Sequence, residues 1–307
     1  MKAQKAMRIL VAVDGSEHAL AGVNLLHDLP LPAGSQVTVM AVFIPRNASY
    51  YTEFEHFVEQ AQARLKDQPW QVNTEVLAGN PADTLSQYAD QQECDLIVMG
   101  ARGARSALGV LLGGVAQQVV EYANRPVLVV RAPYQPLNRL ILALDGSPCS
   151  DLALRYLAQI PLPASLKSID FVHVLPPPPL PQALVLAQTI PMGMERASML
   201  DIQEKEEIDV ILREEEIQGK ELLSQAIQRY QNLTVSQEHR ASLSPILLRG
   251  DAFEEISLYT EAHPTELIVV GSRGLSGVKG WLLGSLSRKL VHGGRCSVMV
   301  VRGNLAC

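Results

Sequence analysis

The residues with the clearest chemical potential lie between positions 271 and 287, where glycines are interleaved with basic and hydroxyl side chains. Gly271, Gly274 and Gly284 lack Cβ atoms, so their backbone can turn sharply and bring several N–H groups towards one anion. Gly284 and Ser285 lie where a helix begins, and the positive end of a helix dipole attracts phosphate. The segment predicts a phosphate cradle, although glycines that only form a tight loop give the same pattern.

The side chains around these glycines complete such a cradle. Arg273 adds positive charge, and the hydroxyls of Ser285 and Ser287 are donors for phosphate oxygens and oxygen ligands that suit Mg²⁺. The predicted contacts of the cradle are Gly271, Ser272, Arg273, Gly274, Gly284, Ser285, Leu286 and Ser287. Because the histidines show no metal-ligand spacing, we expect no direct protein site for a metal, and Mg²⁺ would arrive with the phosphates.

Composition excludes several classes of protein. The chain has 307 residues, of which 47% are hydrophobic, and its 26 basic and 32 acidic residues give a net charge of −6. This balance is not that of a disordered or collagen-like chain, and the negative charge gives little attraction for nucleic acid. Apolar runs stay below the roughly 20 residues that span a bilayer. We expect about two soluble domains that bind neither nucleic acid nor membrane.

The first residues and the cysteines predict a cytoplasmic location. Residues 1–14 lack the apolar core and the cleavage site of a signal peptide. The cysteines Cys94, Cys149, Cys296 and Cys307 form no Cys-X-X-Cys pair. Isolated thiols of this kind fit a reducing compartment, in which they are expected to be buried and unpaired.

The chain contains an internal repeat. The segment 9–16, Ile-Leu-Val-Ala-Val-Asp-Gly-Ser, recurs at 140–147 as Leu-Ile-Leu-Ala-Leu-Asp-Gly-Ser, and the segment 95–103 recurs at 266–274. The spacing between the copies grows by about 40 residues from the early pair to the late pair, which predicts an insertion in the second copy.

Each copy alternates short apolar strands with amphipathic helices. In the first copy the predicted strands are 10–13, 37–43, 72–77, 96–99 and 127–130, and the predicted helices are 17–27, 50–66, 82–91 and 114–123. Apolar strands separated by helices are typical of a parallel, doubly wound α/β sheet. Ligands of such sheets lie at the carboxyl ends of the strands, so Asp14 and Asp145, after the first strand of each copy, are expected to face the ligand as acceptors.

On these residues the chain resembles a tandem member of the universal stress protein family. The nucleotide signature of that family is Gly-X2-Gly-X9-Gly followed by Ser or Thr, and Gly271, Gly274, Gly284 and Ser285 match it without a gap. The resemblance covers nearly all of both copies. It implies that the ligand is an adenine nucleotide, with ATP and Mg²⁺ as the expected cofactors.

The resemblance also implies the remaining contacts and the fold. Asp145 and Val174 occupy the positions that contact ribose and adenine in ATP-binding members. The implied fold is two tandem, doubly wound, mostly parallel five-stranded sheets, which are Rossmann-like and adenine nucleotide alpha hydrolase-like. Members commonly pair through their last strands, so 127–130 and 298–301 are expected to pair within the chain as an intramolecular pseudo-dimer. A homodimer and a protein partner stay open.

The first copy departs from the signature at its end. The residues that match the second copy are Asp14, Val42, Gly100, Gly103 and Gly113. However, Gly114 and Ala116 stand where the second copy has Ser285 and Ser287. The loss of both hydroxyls predicts weaker phosphate binding. We therefore expect the second copy to hold the main ATP site, and the first site to be weak, empty or fitted to a different ligand.

The predicted domains are residues 1–133 and 138–303, with the insertion near 176–215 in the second. Four prolines at 176–179 favour an extended polyproline arm, and the charged stretch 201–230 favours a helix. Because the insertion follows the strand that ends near Val174, it is either a lid over the second site or a spacer helix packed on the exterior.

The resemblance favours a cytoplasmic, ATP-binding regulator of a stress response. The Gly-Lys-Ser/Thr ending of a P-loop is absent, and no acid and base pair or nucleophile is identified, so we assign no catalytic residue and leave slow ATP hydrolysis open. One alternative is a nucleotide-independent scaffold or chaperone-like protein. Another is an adenylating enzyme, whose Ser-Gly-Gly-X-Asp or His-X-Gly-His loop the sequence lacks.

Overall fold

In a computed structural model, the described part of the chain comprises residues 5–45, 49–104, 112–179, 202–234, 241–274 and 283–302. Its strands are β1 (Arg8–Ala12), β2 (Gln36–Phe43), β3 (Gln71–Ala78), β4 (Leu96–Gly100), β5 (Val127–Val130), β6 (Arg139–Leu144), β7 (Ser168–Leu175), β8 (Ser242–Arg249), β9 (Leu267–Gly271) and β10 (Ser297–Val301). Its helices are α1 (Glu17–Asp28), α2 (Ser49–Leu65), α3 (Pro81–Gln91), α4 (Gly114–Tyr122), α5 (Pro148–Leu157), α6 (Ile202–Thr234), α7 (Ala252–Ala262) and α8 (Ser285–Gly293).

The strands form one ten-stranded sheet in the order β3-β2-β1-β4-β5-β10-β9-β6-β7-β8. Neighbouring strands within each half are parallel. The halves meet at β5 and β10, which pair antiparallel with Val129 opposite Val298 and Val127 opposite Val300. In the first half, β2 and β4 lie on opposite sides of β1, so the strand order changes direction between β1 and β4. The second half repeats this change between β6 and β9. Ligands of parallel sheets bind beside such points.

The central strands are mostly apolar because helices cover both faces of the sheet there, whereas the edge strands β3 and β8 carry polar residues. In β1, Leu10 packs against one face, whereas Ile9 and Val11 pack against the other, and all three are buried. The helix after this strand begins where Ser16 accepts a hydrogen bond from the backbone N–H of Ala19, at 3.1 Å. The sequence therefore specifies both the strand and the point at which the chain turns into α1.

The predicted parallel α/β fold with two repeats is confirmed, and the elements of the first half end within two residues of their predicted bounds. The pairing of β5 with β10, which the family resemblance led us to expect, joins the two five-stranded units into one continuous sheet. The helix predicted over 201–230 begins at Ile202 and continues to Thr234. It continues because Tyr230 and Thr234 bury the same face of the helix. Residues 180–201 of the predicted insertion lie outside the described ranges.

Two arginines join the halves reciprocally. Arg131, just after β5, donates from Nη2 to the carbonyl of Val291 at 2.6 Å and from Nε to the carbonyl of Cys296 at 3.1 Å. Arg302, just after β10, donates from Nη1 to the carbonyls of Glu121 and Ala123 at 2.8 and 3.1 Å. Each guanidinium thus satisfies carbonyls at or beyond the carboxyl end of the last helix of the other half, where a positive charge is favourable.

The second half differs from the first in the helix that follows its second strand. Helix α6 has 33 residues, whereas α2 has 17. The carboxyl-terminal part of α6 packs on the sheet, where the ring of Tyr230 meets the edge of Phe171 at 5.6 Å between centroids. Towards its start, Val210 and Ile211 are exposed. Aromatic packing therefore fixes the end of this helix to β7.

We expect Phe171→Ala to lower the free energy of unfolding by about 3–5 kcal/mol, because a buried aromatic ring is replaced by a cavity. Phe171 is fully buried and its ring supports Tyr230 of α6. Urea denaturation followed by circular dichroism measures the change. The control is Leu233→Ala on the exposed face of the same helix, which is expected to cost less than about 0.5 kcal/mol. Equal losses in the two variants would contradict this packing.

Candidate functional site

Two cavities, each of about 610 Å³, open at the carboxyl ends of the strands, one in each half of the sheet. They lie where the strand order reverses, which is the place expected for a ligand. The predicted residues of the first copy that line the first cavity are Asp14, Val42, Gly100, Gly103 and Gly113. Those that line the second cavity are Asp145, Val174, Gly271, Arg273, Gly274, Gly284, Ser285, Leu286 and Ser287. Ser272 is not part of the wall, because it is buried behind it.

Two glycines of the second loop are required by close contacts. At Gly271, a Cβ would lie 2.6 Å from the carbonyl oxygen of Cys149, at the start of α5. At Gly274, a Cβ would collide with the carboxylate of Asp145. The first half repeats both contacts. The signature glycines therefore let the loop pass directly over the helix start and over the aspartate.

The aspartate at the end of the first strand is held in place by its own turn. Ser147 donates its backbone N–H to Oδ1 of Asp145 at 3.0 Å, and Gly146 takes the left-handed conformation, with φ of +79°. In the first half, the backbone N–H of Ala104 in the glycine loop donates to Oδ2 of Asp14 at 3.2 Å. Each carboxylate therefore faces its glycine loop across the mouth of the cavity.

The hydroxyl of Ser287 is used within the protein. Its Oγ lies 3.1 Å from the carbonyl oxygens of both Ser272 and Gly284, and the residue is buried. The backbone N–H of Gly284 also donates to the Ser272 carbonyl, at 2.7 Å. The residue spacing predicts that Ser287 contacts phosphate; in the structure its hydroxyl bonds to these carbonyls and fastens the loop to α8. Ser285, the first residue of that helix, is exposed at the cavity.

We expect Ser287→Ala to destabilise the chain by only about 1 kcal/mol, because both carbonyls keep a backbone donor after the hydroxyl is removed. Gly284 still donates to Ser272, and Arg288 still donates its N–H to Gly284. Thermal unfolding measures the loss. The matched control is Ala116→Ser at the same helix position of the first half, which should not lower stability. A loss of several kcal/mol in Ser287→Ala would mean that the hydroxyl holds more than this loop.

Positive charge is concentrated on the second cavity. Among the residues that the structure describes, its charged lining residues are Arg273, Arg288, Lys289 and Asp145, a net charge of +2. Lys289 is also paired with Asp251, at 3.1 Å. The Nε of Arg273 is buried without a hydrogen-bond partner in the described part of the chain. A donor of this kind is costly to leave unpaired, so an anion in the cavity would satisfy it.

Two of these cations were not predicted from the sequence. Arg288 and Lys289 follow Ser285 by three and four residues on α8, and such residues share one helix face. That spacing is a signal from which their position beside the loop could have been inferred. In the first half, Gln117 and Gln118 occupy the corresponding places on α4.

The first cavity has aromatic walls instead. Phe43 from β2 and Phe54 from α2 stack with centroids 5.8 Å apart, and Phe57 meets the edge of Phe54 at the same distance. All three line the cavity. The sequence analysis did not single out these residues, because their convergence depends on how α2 packs against the sheet.

His173 and the buried thiols near the strands have structural roles. His173 is placed with its Nδ1 2.8 Å from the carbonyl oxygen of Leu144, so it bonds within the sheet as expected of a packed residue. Cys94, Cys149 and Cys296 are buried free thiols, and burial raises the pKa of Cys94 to about 11, which keeps it protonated at neutral pH. Cys307 lies outside the described residues.

Two other features, a cluster of metal ligands and a membrane-spanning helix, are absent from the described residues. No group of three or more His, Cys, Asp or Glu residues there is arranged to hold a metal ion. None of the helices in those ranges combines the length and the apolar character needed to cross a bilayer.

A sheet that is parallel within each half, with a glycine loop and an aspartate at each switch point, defines a doubly wound α/β protein with a cavity at each place where ligands of such sheets bind. The chain belongs to the universal stress protein family, whose model matches residues 5–131 and 136–302. Each match covers one repeat with its glycine loop.

Relatives with two such repeats resemble most of the chain. A universal stress protein of Mycolicibacterium smegmatis is 28% identical over 96% of this chain and 96% of its own length. One of Mycobacterium bovis is 30% identical over 83% of this chain and 74% of its own length. The crystal structure of a universal stress protein from Archaeoglobus fulgidus shares the fold, with a TM-score of 0.63 and 17% identity over 98% of this chain and 99% of that one.

Proposed function

We propose that this universal stress protein is a cytoplasmic regulator that binds ATP in its second cavity and changes its interactions according to whether ATP is bound. The observation that carries the proposal is the start of α8, where Ser285 and three cations meet a glycine loop around one cavity. Backbone N–H groups at a helix start, together with Arg and Lys side chains, are the groups that bind phosphates.

The phosphates would lie against Gly274, Gly284 and Ser285. The buried Nε of Arg273 gains a partner in this arrangement, and the exposed hydroxyl of Ser285 donates to a phosphate oxygen. The described lining of the cavity also carries a net charge of +2, which attracts a polyphosphate more strongly than a neutral ligand. The site therefore suits ATP better than adenosine.

The sugar and base would occupy the part of the cavity nearer the sheet. Asp145 offers a fixed carboxylate at the end of β6, which accepts hydrogen bonds from ribose hydroxyls. Val174, from the end of β7, and Ile256, from α7, supply apolar surface for a purine ring. Charge and polarity thus divide the cavity into a phosphate end and a base end.

Mg²⁺ would be held mainly by the phosphates in this proposal. The hydroxyl of Ser285 is the oxygen ligand that the chain offers beside them, and Mg²⁺ typically keeps several waters and binds few protein groups. The bound ion would neutralise phosphate charge. The residues of the chain bind and orient the nucleotide, and we propose no catalytic step.

The two repeats, 1–133 and 138–303, would act as an intramolecular pseudo-dimer. The antiparallel pairing of β5 with β10 covers the edge that each repeat would otherwise expose, and Arg131 and Arg302 each bond to the opposite repeat. One competent ATP site would then serve a pair of repeats. A protein partner would then distinguish the ATP-bound chain from the ATP-free chain.

Calorimetric titration with ATP and Mg²⁺ tests the second cavity. The variant Gly284→Val with Ser285→Ala should bind ATP at least about tenfold more weakly, because the loop shifts and a phosphate donor is lost. A side chain at 284 has little room, since a Cβ there would lie 3.2 Å from Cα of Arg273.

The matched control is Gly113→Val, at the corresponding position of the first loop. It should leave ATP affinity unchanged, and circular dichroism should show both variants folded. Loss of ATP binding in Gly113→Val alone would move the site to the first cavity. Failure of the wild type to bind millimolar ATP would favour the scaffold alternative.

A further inference from the structure

The first cavity has the volume of the second, but the described residues that line it carry a net charge of the opposite sign. Its charged lining residues are Asp14, Glu53 and Arg102, a net charge of −1 among the residues that the structure describes. The described lining of the second cavity gives +2. Two cavities at equivalent places in the two repeats therefore present different electrostatic environments to a ligand.

The one cation of the described first wall is already engaged with the protein. Arg102 donates from Nε to Nε2 of His18 at 3.0 Å, and the backbone N–H of Ala132 approaches Nδ1 of the same ring at 2.9 Å. His18 is buried, so this contact draws the guanidinium towards the junction with β5. Less of its charge is then directed at the cavity.

The helix start beside the first cavity also lacks phosphate donors on its side chains. Helix α4 begins at Gly114, followed by Val115 and Ala116, and its cap at Gly113 makes no side-chain hydrogen bond. A side chain at 114 would fit, because a Cβ there meets nothing within 4 Å. The absence of a hydroxyl is thus a property of this sequence, and the space would admit one.

Aromatic rings take the place of cations. Phe43, Phe54 and Phe57 line the first cavity, whereas no Phe, Tyr or Trp appears among the described lining residues of the second. Planar rings stack with other planar rings and with apolar faces. Asp14 remains as a carboxylate acceptor for hydroxyl groups, held by the glycine loop.

We infer that the first cavity binds an uncharged nucleoside, with the base against the aromatic wall and the sugar hydroxyls at Asp14. A ribonucleoside combines an aromatic ring with neighbouring hydroxyls and carries no phosphate to be repelled by Asp14 and Glu53. The chain would thereby sense two ligands, a nucleoside in one repeat and a triphosphate in the other. The inference goes beyond the proposed ATP site and does not require it.

Equilibrium dialysis of the full chain carrying Asp145→Ala tests the first cavity with the second one impaired. The probes are adenosine, guanosine, cytidine and uridine, each compared with its triphosphate. We expect at least one nucleoside to bind once per chain, with its triphosphate at least about tenfold weaker, as the loss of one charged hydrogen bond or the gain of one repulsion would give. Binding of none of the four, or equal or tighter binding of the triphosphate, would overturn the inference.

Two further variants assign the ligand to this cavity. Adding Asp14→Ala should lower the affinity for the nucleoside at least about tenfold. Asp14→Asn keeps an oxygen acceptor for the turn, so it should preserve the fold and lower the affinity less. Unchanged nucleoside binding in Asp14→Ala would place the ligand elsewhere and overturn the inference. Failure of the wild type to bind ATP would instead contradict the proposed function and leave this inference untouched.

A charge graft tests the reason for the preference. Glu53→Gln, Gly114→Ser, Gln117→Arg and Gln118→Lys together give the first cavity the donors of the second. We expect the triphosphate to gain about tenfold or more in affinity, with the nucleoside little changed. Glu53 and Gln118 are exposed and position 114 is open, so three of the substitutions are compatible with folding. Gln117 is half-buried and donates to Glu121, a contact that an arginine can also make. A triphosphate affinity that does not rise would show that charge is not what selects the ligand.

Discussion

Replacing Asp145 with alanine is expected to weaken ATP binding by about tenfold to a hundredfold, the effect of losing a hydrogen bond to a charged group. Asp145 lies at the end of β6, its carboxylate is fixed by the N–H of Ser147 at 3.0 Å, and it packs against Gly274 of the phosphate loop. Among the described residues of the second wall, it is therefore the one charged acceptor that can contact a sugar. Calorimetric titration with ATP and Mg²⁺ measures the change.

The matched control is Asp14→Ala, which removes the equivalent carboxylate from the first repeat. ATP affinity should be unchanged in that variant. Asp145→Asn keeps the acceptor for Ser147 and separates a loss of ligand contact from a loss of the turn. Equal weakening by Asp14→Ala and Asp145→Ala would contradict the asymmetry between the two sites.

Replacing Arg131 with alanine is expected to lower the free energy of unfolding by about 3 kcal/mol, because charged hydrogen bonds to two carbonyls of the other repeat are lost. Arg131 reaches Val291 and Cys296, and burial lowers the pKa of its guanidinium. A half-buried cation of this kind persists because carbonyls at the end of α8 stabilise it. Urea denaturation of the full chain measures the loss.

Arg302→Ala should cost a similar amount, because its contacts with Glu121 and Ala123 repeat the arrangement in the other direction. Arg229→Ala is the control, since this arginine is mostly exposed and pairs only at the surface with Asp151. It should cost less than about 1 kcal/mol. Losses in Arg131→Ala no greater than in this control would mean that the two repeats are held together by the strand pairing alone.

Much of the fold could be predicted because it is encoded locally. Leu10 and Val11 face opposite sides of the sheet, so the buried part of their strand is apolar on both faces. Ser16 marks the start of α1 in the sequence as it does in the structure. The glycine spacing likewise identified the loop, because Gly271 and Gly274 are each required by a close contact.

Other features depend on contacts between distant parts of the chain. Arg131 and Val291 are 160 residues apart, and nothing in the sequence around either indicates the contact. The aromatic wall of the first cavity arises only when α2 packs so that Phe54 and Phe57 reach the ends of the strands. The single continuous sheet likewise depends on pairing between the last strands of the two repeats.

The sequence predicted which residues lie at the candidate site better than it predicted what each side chain contacts. The positions from 271 to 274 and from 284 to 287 gather at one cavity, apart from buried Ser272. The hydroxyl of Ser287, in contrast, turns inward to two carbonyls. Side-chain direction depends on the helix geometry around Gly284, which residue spacing does not reveal.

The measurement that tests the central claim most directly is the number of ATP molecules bound per chain. Native mass spectrometry of the wild-type protein with ATP and Mg²⁺ should show one ATP per chain, and Asp145→Ala should reduce this species while Asp14→Ala should not. Two ATP molecules per chain at similar affinity would contradict the functional asymmetry of the repeats. No bound ATP at millimolar concentration would contradict the nucleotide-dependent role itself.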